Sequence, residues 1–95
     1  MSERRSITLT IGEADFTFTI GAAEVSKYFN AMSPANKVSP AHNLLTTTVA
    51  SDQRDALKKL LGNPVTTMQV AGSLLEEYTP DIEITVKKPS NELSD

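Results

Sequence analysis

The sequence has no cysteine and no tryptophan, and aromatic residues make up only 5% of its 95 residues. Without cysteine, neither a disulfide framework nor a cysteine-based zinc site is possible, and a reducing compartment such as the cytoplasm fits the composition. Because rings are few, the core must be mainly aliphatic, which predicts a narrow margin of stability. A chain of this length has room for one hydrophobic core, and association with further copies would stabilise it.

Long apolar runs and an excess of positive charge are missing as well. No stretch approaches the roughly 20 apolar residues of a membrane span, and the start of the chain does not follow the signal-peptide pattern. The formal net charge at pH 7 is −3, and the lysines and arginines are scattered. Since nucleic-acid affinity depends on accumulated positive charge, we expect neither nucleic acid nor a membrane as a partner.

Two alternating segments around Gly12 predict an N-terminal β-hairpin. Period-two alternation places the apolar side chains of both strands on one face and threonines on the other. These apolar side chains are Ile7, Leu9, Ile11, Phe16, Phe18 and Ile20. A two-stranded hairpin alone is marginal in water. The same alternation at Ile82, Ile84 and Val86 predicts a third strand near the other end of the chain.

Between these strands, caps, prolines and apolar spacing predict about four short helices. They are expected over 21–33, from Pro40 toward Thr48 with Ser39 as N-cap, over 52–61 with Ser51 as N-cap, and from Asn63-Pro64 to before Pro80. The 3.6-residue period selects their inward-facing residues. In chain order, these are Val25, Tyr28, Phe29 and Met32; Ala41, Leu44 and Leu45; Ala56, Leu57, Leu60 and Leu61; and Val65, Met68, Ala71, Leu75 and Tyr78.

The predicted fold class is therefore α+β, with a small antiparallel sheet of the hairpin plus the C-terminal strand packed against these helices. One domain is expected over residues 1–88, followed by a polar, disordered tail at 89–95. Two local questions stay open in the sequence. The segment 34–48 can be helical or an extended loop, because three consecutive threonines weaken the helix. Gly72, inside the last helix, indicates either close approach of a neighbour or simple tolerance.

We find no catalytic apparatus in the sequence. His42 is the only histidine, and neither a nucleophile, a paired acid nor a set of metal co-ligands accompanies it. The acidic group of Glu76, Glu77, Asp81 and Glu83 lacks the spacing of a calcium loop and is typical of a solvated face. The sequence thus predicts no catalytic, cofactor-binding or metal site, and a function other than an enzyme's.

Three motifs give the chain a resemblance to the tail assembly chaperones of tailed bacteriophages and prophages. They are the hairpin pieces ITLTIG (7–12) and FTF (16–18), the polar segment NKVSPAHNLL (36–45), and the ending EEYTPDIEITVK (76–87). The middle and ending motifs are more specific than the hairpin, whose pattern fits many proteins. Together they extend the resemblance over nearly the whole chain.

The resemblance implies a non-enzymatic chaperone that binds the tail tape-measure protein, keeps it soluble and helps to recruit tail-tube subunits. Such a protein works in the bacterial host cytoplasm and is absent from the mature virion. It also implies self-association around the client, and a second, frameshift-extended form of which this chain would be the shorter version. A protein-binding adaptor is the alternative, and a small nucleic-acid-binding domain is a weaker one.

The polar segment at 36–45 is our candidate for the partner-binding surface. Asparagine, lysine, proline and histidine stand together there, in a stretch that joins structural elements, where composition is usually free to vary. We hypothesise that a partner is contacted by Asn36, Lys37, Val38, His42 and Asn43, with Tyr78 close by.

Overall fold

The computed structural model describes residues 4–78 and Lys87. Its elements, in chain order, are β1 (Arg4–Ile11), β2 (Ala14–Gly21), α1 (Ala22–Ala31), α2 (Val38–Thr48), a 3-10 turn (Ser51–Gln53), α3 (Arg54–Leu60) and α4 (Pro64–Tyr78). The two-stranded antiparallel sheet and the four α-helices confirm the predicted α+β class. The predicted third strand at 82–86 and the tail at 89–95 lie outside the described residues.

The hairpin is the prediction that the structure confirms most fully. β1 and β2 pair with Leu9 opposite Phe16 and Ile7 opposite Phe18, which places their apolar side chains on one face. Phe16 and Phe18 are buried, whereas Ile7 and Leu9 pack half-buried against the core. Gly12 begins the turn with φ +67°, a left-handed conformation that glycine adopts without steric cost. β2 therefore carries most of the sheet's share of the core.

The outer edge of β2 is closed by the chain that follows α2. The Gln53 carboxamide accepts a hydrogen bond from the Thr17 amide (2.8 Å) and donates one to the Asp15 carbonyl (3.1 Å). The Ala50 amide donates to the Thr17 carbonyl (2.8 Å). One side chain and one backbone amide thus occupy the positions that a third strand would take on this edge.

α1 begins directly after β2. The Gly21 amide donates to the Glu24 carboxylate (2.8 Å), the reciprocal contact of a capping box. Tyr28 is buried, and Val25 and Met32 are half-buried, as predicted. Phe29 is 55% exposed, so its predicted inward position is wrong. It lies about 100° around the helix from Tyr28, beyond the stripe that meets the core.

α2 answers the open question about residues 34–48, which are helical from Val38 to Thr48 and form a turn before it. The helix begins earlier than predicted, because Lys37 is its N-cap and Ser39 already lies inside the first turn. Pro40 fits there, since its missing amide hydrogen would have no partner within the helix. Ala41, Leu44 and Leu45 are buried as predicted. The hydroxyls of the three threonines donate back into the helix at 2.7–2.9 Å, to the carbonyls of His42, Asn43 and Leu44.

The predicted helix from 52 to 61 is shorter than expected. Ser51 opens the 3-10 turn and does not cap α3, which begins only at Arg54. Leu57 and Leu61 are buried, but Ala56 and Leu60 are exposed, contrary to prediction. A helix of seven residues can bury only one narrow stripe. In α3 this stripe consists of Leu57 and the C-cap residue Leu61, four positions later.

α4 starts where the Asn63-Pro64 signal predicts, with the Asn63 side-chain oxygen accepting from the Val65 amide (2.9 Å). Its inner face is rotated from the predicted one. Val65 is 62% exposed, which corrects its predicted inward position. The buried residues of α4 are Thr67, Val70, Ala71 and Leu74, with Met68, Leu75 and Tyr78 half-buried beside them. Gly72 has open space where a Cβ would lie, so it marks tolerance and not close packing.

One hydrophobic core joins β2 to all four helices. Its buried apolar members are Phe16, Phe18, Ile20, Tyr28, Ala41, Leu44, Leu45, Val49, Leu57, Leu61, Val70, Ala71 and Leu74. The Arg5 guanidinium donates to the carbonyls of Glu77 (3.3 Å) and Tyr78 (3.4 Å), which satisfies the last turn of α4. The end of α4 therefore lies beside the start of β1.

Candidate functional site

α2 is flanked by two surfaces, of which the first is a groove against α1. This α1–α2 groove encloses about 410 Å³. Tyr28 and Leu44 form its floor and are only 6% and 5% exposed. Its full lining is Ala23, Glu24, Lys27, Tyr28, Ala31, Pro40, Asn43, Leu44 and Thr47. The α2 members are spaced by three and four residues, which places them on one helical face.

The second surface lies on the other flank of α2, against the first turns of α4. This Val65 patch is a shallow depression with a volume of about 430 Å³. It is lined by Val38, Pro64, Val65, Met68 and Gln69. Val65 is 62% exposed and Val38 is 39% exposed, so the two valines leave apolar area in water. Adjacent exposed apolar side chains with a polar rim are typical of protein-binding surfaces.

The structure brings only part of the predicted contact set together. Asn36, Lys37 and Val38 are exposed at the start of α2, where the backbone of Asn36 is held by two 3.1 Å hydrogen bonds to Ser33. Val38 joins the Val65 patch. Asn43 lies five residues further on, about 140° around the helix, and lines the α1–α2 groove instead.

The remaining two predicted residues lie elsewhere. His42 is half-buried in the middle of α2 and lines neither surface. Tyr78 is half-buried at the far end of α4, about 20 Å along the helix axis from Val65. It therefore lies apart from the Val65 patch, and its closeness to the other predicted contact residues stays a prediction.

Sequence reasoning missed the α4 side of the patch and the α1 side of the groove. Val65 is predicted on the inner face of the last helix but is exposed, whereas Met68 is half-buried against the core, as predicted, and also lines the patch. A signal for the correct assignment existed, since Thr67, Val70, Ala71 and Leu74 also follow helical spacing. This spacing places Thr67 in the core, where its hydroxyl donates a hydrogen bond to the Leu61 carbonyl (3.1 Å).

Two charged residues of α1 line the groove, Glu24 and Lys27, and only Glu24 has an ion-pair partner among the described residues. Glu24 accepts a 2.6 Å hydrogen bond from Arg4, which lowers the pKa of the Glu24 carboxyl below its ordinary value of 4.5. Backbone amides of Glu24 and Gly21 lower this pKa further, and burial opposes them. The Lys27 ammonium makes no ion pair or hydrogen bond with any described residue. The Glu24 carboxylate is therefore paired with a cation, whereas the Lys27 ammonium is unpaired among the described residues.

The Glu24 pair predicts a pH-dependent loss of stability. Glu24→Gln keeps an oxygen for the Gly21 amide but removes the charge, and the exposure of Arg4 limits the loss to roughly 0.5 kcal/mol at pH 7. Because the folded pKa is depressed, the pair stabilises the fold above pH 4.5 and loses that effect as pH falls through the folded pKa. Thermal melts should differ by about 2–4 °C at pH 7, and the difference should disappear as the pH falls below the folded pKa of Glu24. A difference that stays equal from pH 7 into acid would contradict this assignment.

Neither a metal site nor a membrane span is found in the part of the chain that the structure describes. Residues 4–78 with Lys87 contain no group of three or more His, Asp or Glu side chains placed to share a metal ion. Among the same residues, no helix has the length and apolarity needed to cross a membrane.

Comparison with known proteins gives the family of the chain. The phage tail assembly chaperone family matches residues 7–88 of the chain. A protein of Haemophilus phage HP1 (strain HP1c1), described as "Uncharacterized 11.3 kDa protein in lys 3'region", is 35% identical over 82 residues, which cover 86% of this chain and 80% of that protein. No solved structure matches. The chain belongs to the phage tail assembly chaperone family, as its motifs indicate, and this membership implies a non-enzymatic role.

Proposed function

We propose that this chaperone binds the tail tape-measure protein during tail assembly, keeps that polypeptide soluble and helps to recruit tail-tube subunits. It acts in the host cytoplasm and is absent from the finished virion. The observation that carries the proposal is the exposed apolar Val65 patch beside α2, in a chain that belongs to this family.

The chemistry of the client fits these surfaces. A tape-measure protein presents long apolar helical stripes until the tail tube encloses it, and such stripes aggregate unless they are covered. The chaperone must leave the client when the tube forms. Shallow and partly polar binding surfaces allow this release better than a deep pocket does. A client much longer than one domain would require several copies of the chaperone.

We assign the contact surface to both flanks of α2. On one flank, Asn36, Lys37 and Val38 continue into Val65 and Met68 of the Val65 patch. On the other, Asn43 belongs to the α1–α2 groove, and His42 lies on the helix between them. Tyr78, at the far end of α4, would contact a separate stretch of the client.

Co-expression tests this proposal. The tape-measure protein encoded in the same tail gene cluster is produced with this chain or with an unrelated small protein, and soluble and insoluble fractions are compared. We expect the tape-measure protein to become soluble, and to be captured through a tag on the chaperone, only in the first case. A tape-measure protein that stays insoluble beside abundant soluble chaperone would overturn the proposal.

A further inference from the structure

The outer edge of β1 is open along the part of the chain that the structure describes. The amide and carbonyl of Thr17 in β2 point away from β1, toward the chain that follows α2. Because opposite residues of an antiparallel pair orient these groups alike, those of Thr8, opposite Thr17, point outward too, as do those of Ser6 and Thr10. None of these outward groups is hydrogen-bonded to a described residue. β1 therefore presents an unpaired ladder to another strand.

The apolar face of β1 is also incompletely covered. Ile7, Leu9 and Ile11 are only half-buried, whereas Phe16 and Phe18 of β2 are buried. A strand added at the open edge would shield the side chains of β1, provided that its own apolar residues recur at every second position. The occupant that fits is therefore an extended segment with this alternation.

β1 of a second copy of this chain meets that requirement when it runs antiparallel, with Leu9 opposite Leu9 of the second copy. In this register Ile7 is opposite Ile11 of the second copy, so the apolar residues of the two strands pair only with one another. The outward groups of Thr8 then lie opposite those of Thr10 and complete an antiparallel ladder. A slip by one residue would turn apolar residues toward polar ones, and a slip by two would place an isoleucine opposite a charged residue.

The charges at the two ends of β1 favour the antiparallel direction. Arg5 lies at the start of the strand, and Glu13 lies in the turn that follows it. Neither has an ion-pair partner among the described residues, unlike Arg4, which is paired with Glu24. Since Arg5 and Glu13 are each four positions from Leu9, the register centred on Leu9 places Arg5 opposite Glu13 of the second copy. A parallel pair would instead bring like charges together, which is unfavourable.

We propose that the outer edge of β1 is a self-association surface, on which two copies of this chain form an antiparallel β1–β1 pair centred on Leu9. The pair joins the two hairpins into one continuous sheet. It uses no residue that lines the Val65 patch or the α1–α2 groove. This inference goes beyond the proposed function, because the pair forms without a client. Its tests therefore use the full chain alone, and their failure leaves the proposed function standing.

Cysteine cross-linking tests the register, because the chain has no cysteine of its own. The two copies of residue 9 should lie about 4.5 Å apart between Cα atoms, a separation that a disulfide can bridge. Under air oxidation, Leu9→Cys should form disulfide-linked dimer roughly tenfold faster than Thr8→Cys. Thr8 is the more exposed residue, but its two copies are offset along the strands by about 8 Å between Cα atoms, too far for a disulfide. Equal or faster cross-linking of Thr8→Cys would overturn the proposal.

Size-exclusion chromatography with light scattering measures the association itself. At about 100 μM the wild type should have about twice the mass of one chain, and dilution should lower it. Thr8→Pro removes an outward amide hydrogen but no hydrogen bond of the hairpin, so it should weaken dimerisation about tenfold or more, whereas Thr8→Val should match the wild type. Thermal melts check that both variants are folded. A monomeric wild type, or a Thr8→Pro variant that dimerises equally well, would overturn the proposal and leave the edge to a segment of the same chain or of a client.

Discussion

Replacing Phe18 with alanine is expected to lower the free energy of unfolding by about 3–5 kcal/mol, the largest loss we predict for a single change. Phe18 is fully buried in β2, pairs with Ile7 across the sheet and forms a backbone bridge to Val49 after α2. Its removal leaves a cavity where the sheet meets the helices. Domains of this size are stable by only about 5–15 kcal/mol, so the variant is expected to be largely unfolded on modest heating.

Urea denaturation followed by circular dichroism measures this loss, and Phe29→Ala is the matched control. Phe29 is 55% exposed, and its ring lies 5.3 Å from the ring of Tyr28 between centroids. Its truncation should cost less than about 1 kcal/mol, as for most exposed positions. Similar losses at both phenylalanines would contradict the placement of the core.

A second large effect is expected from Val65→Asp, which should reduce capture of the tape-measure protein at least tenfold. Val65 is the most exposed apolar residue of the Val65 patch. A carboxylate there must lose its water when an apolar stripe covers it, a cost well above 1 kcal/mol. The fold itself should not suffer, because Val65 is in the first turn of α4, where a negative charge complements the helix dipole.

Ala56→Asp is the control, since it introduces the same charge at an exposed position in the first turn of α3. Capture is measured by tagged pull-down after co-expression, and thermal melts confirm that both variants keep wild-type stability. Ala56→Asp should capture the client as the wild type does. If Val65→Asp also does so, the Val65 patch is not part of the contact surface.

The local signals in the sequence were strong enough to predict which elements form. Period-two alternation around Gly12 excludes a one-residue slip, because that slip would turn the apolar residues of one strand to the opposite face, and the structure keeps them on one face. Asn63-Pro64 marks the start of α4 because a capping side chain and a proline both suit a first turn. These signals act within a few residues, so the sequence reports them directly.

The inward faces of the helices were harder to predict. Each helix has more apolar residues than its contact with the core can cover, and the neighbouring elements decide which of them are buried. Phe29, Leu60 and Val65 are among the apolar residues that remain exposed. Thr67 is buried instead, because the Leu61 carbonyl, at the end of the preceding helix, accepts a hydrogen bond from its hydroxyl.

The dependence on neighbouring elements also explains why the sequence predicts only part of the candidate site. Val38 was singled out from its local composition, but its neighbours Val65 and Met68 are 27 or more positions away in sequence and meet it only through the packing of α2 on α4. Lys27 and Asn43 come to one groove in the same way, through α1 and α2. No spacing rule within one element could pair them.

The central claim is that this chaperone and the tape-measure protein form a direct complex. Size-exclusion chromatography with light scattering on the co-purified proteins tests it, because the mass of each peak gives its composition. The account predicts one peak that holds both proteins, with several chaperone copies for each tape-measure chain. A chaperone that elutes without the tape-measure protein, when both are present in the loaded sample, would contradict it.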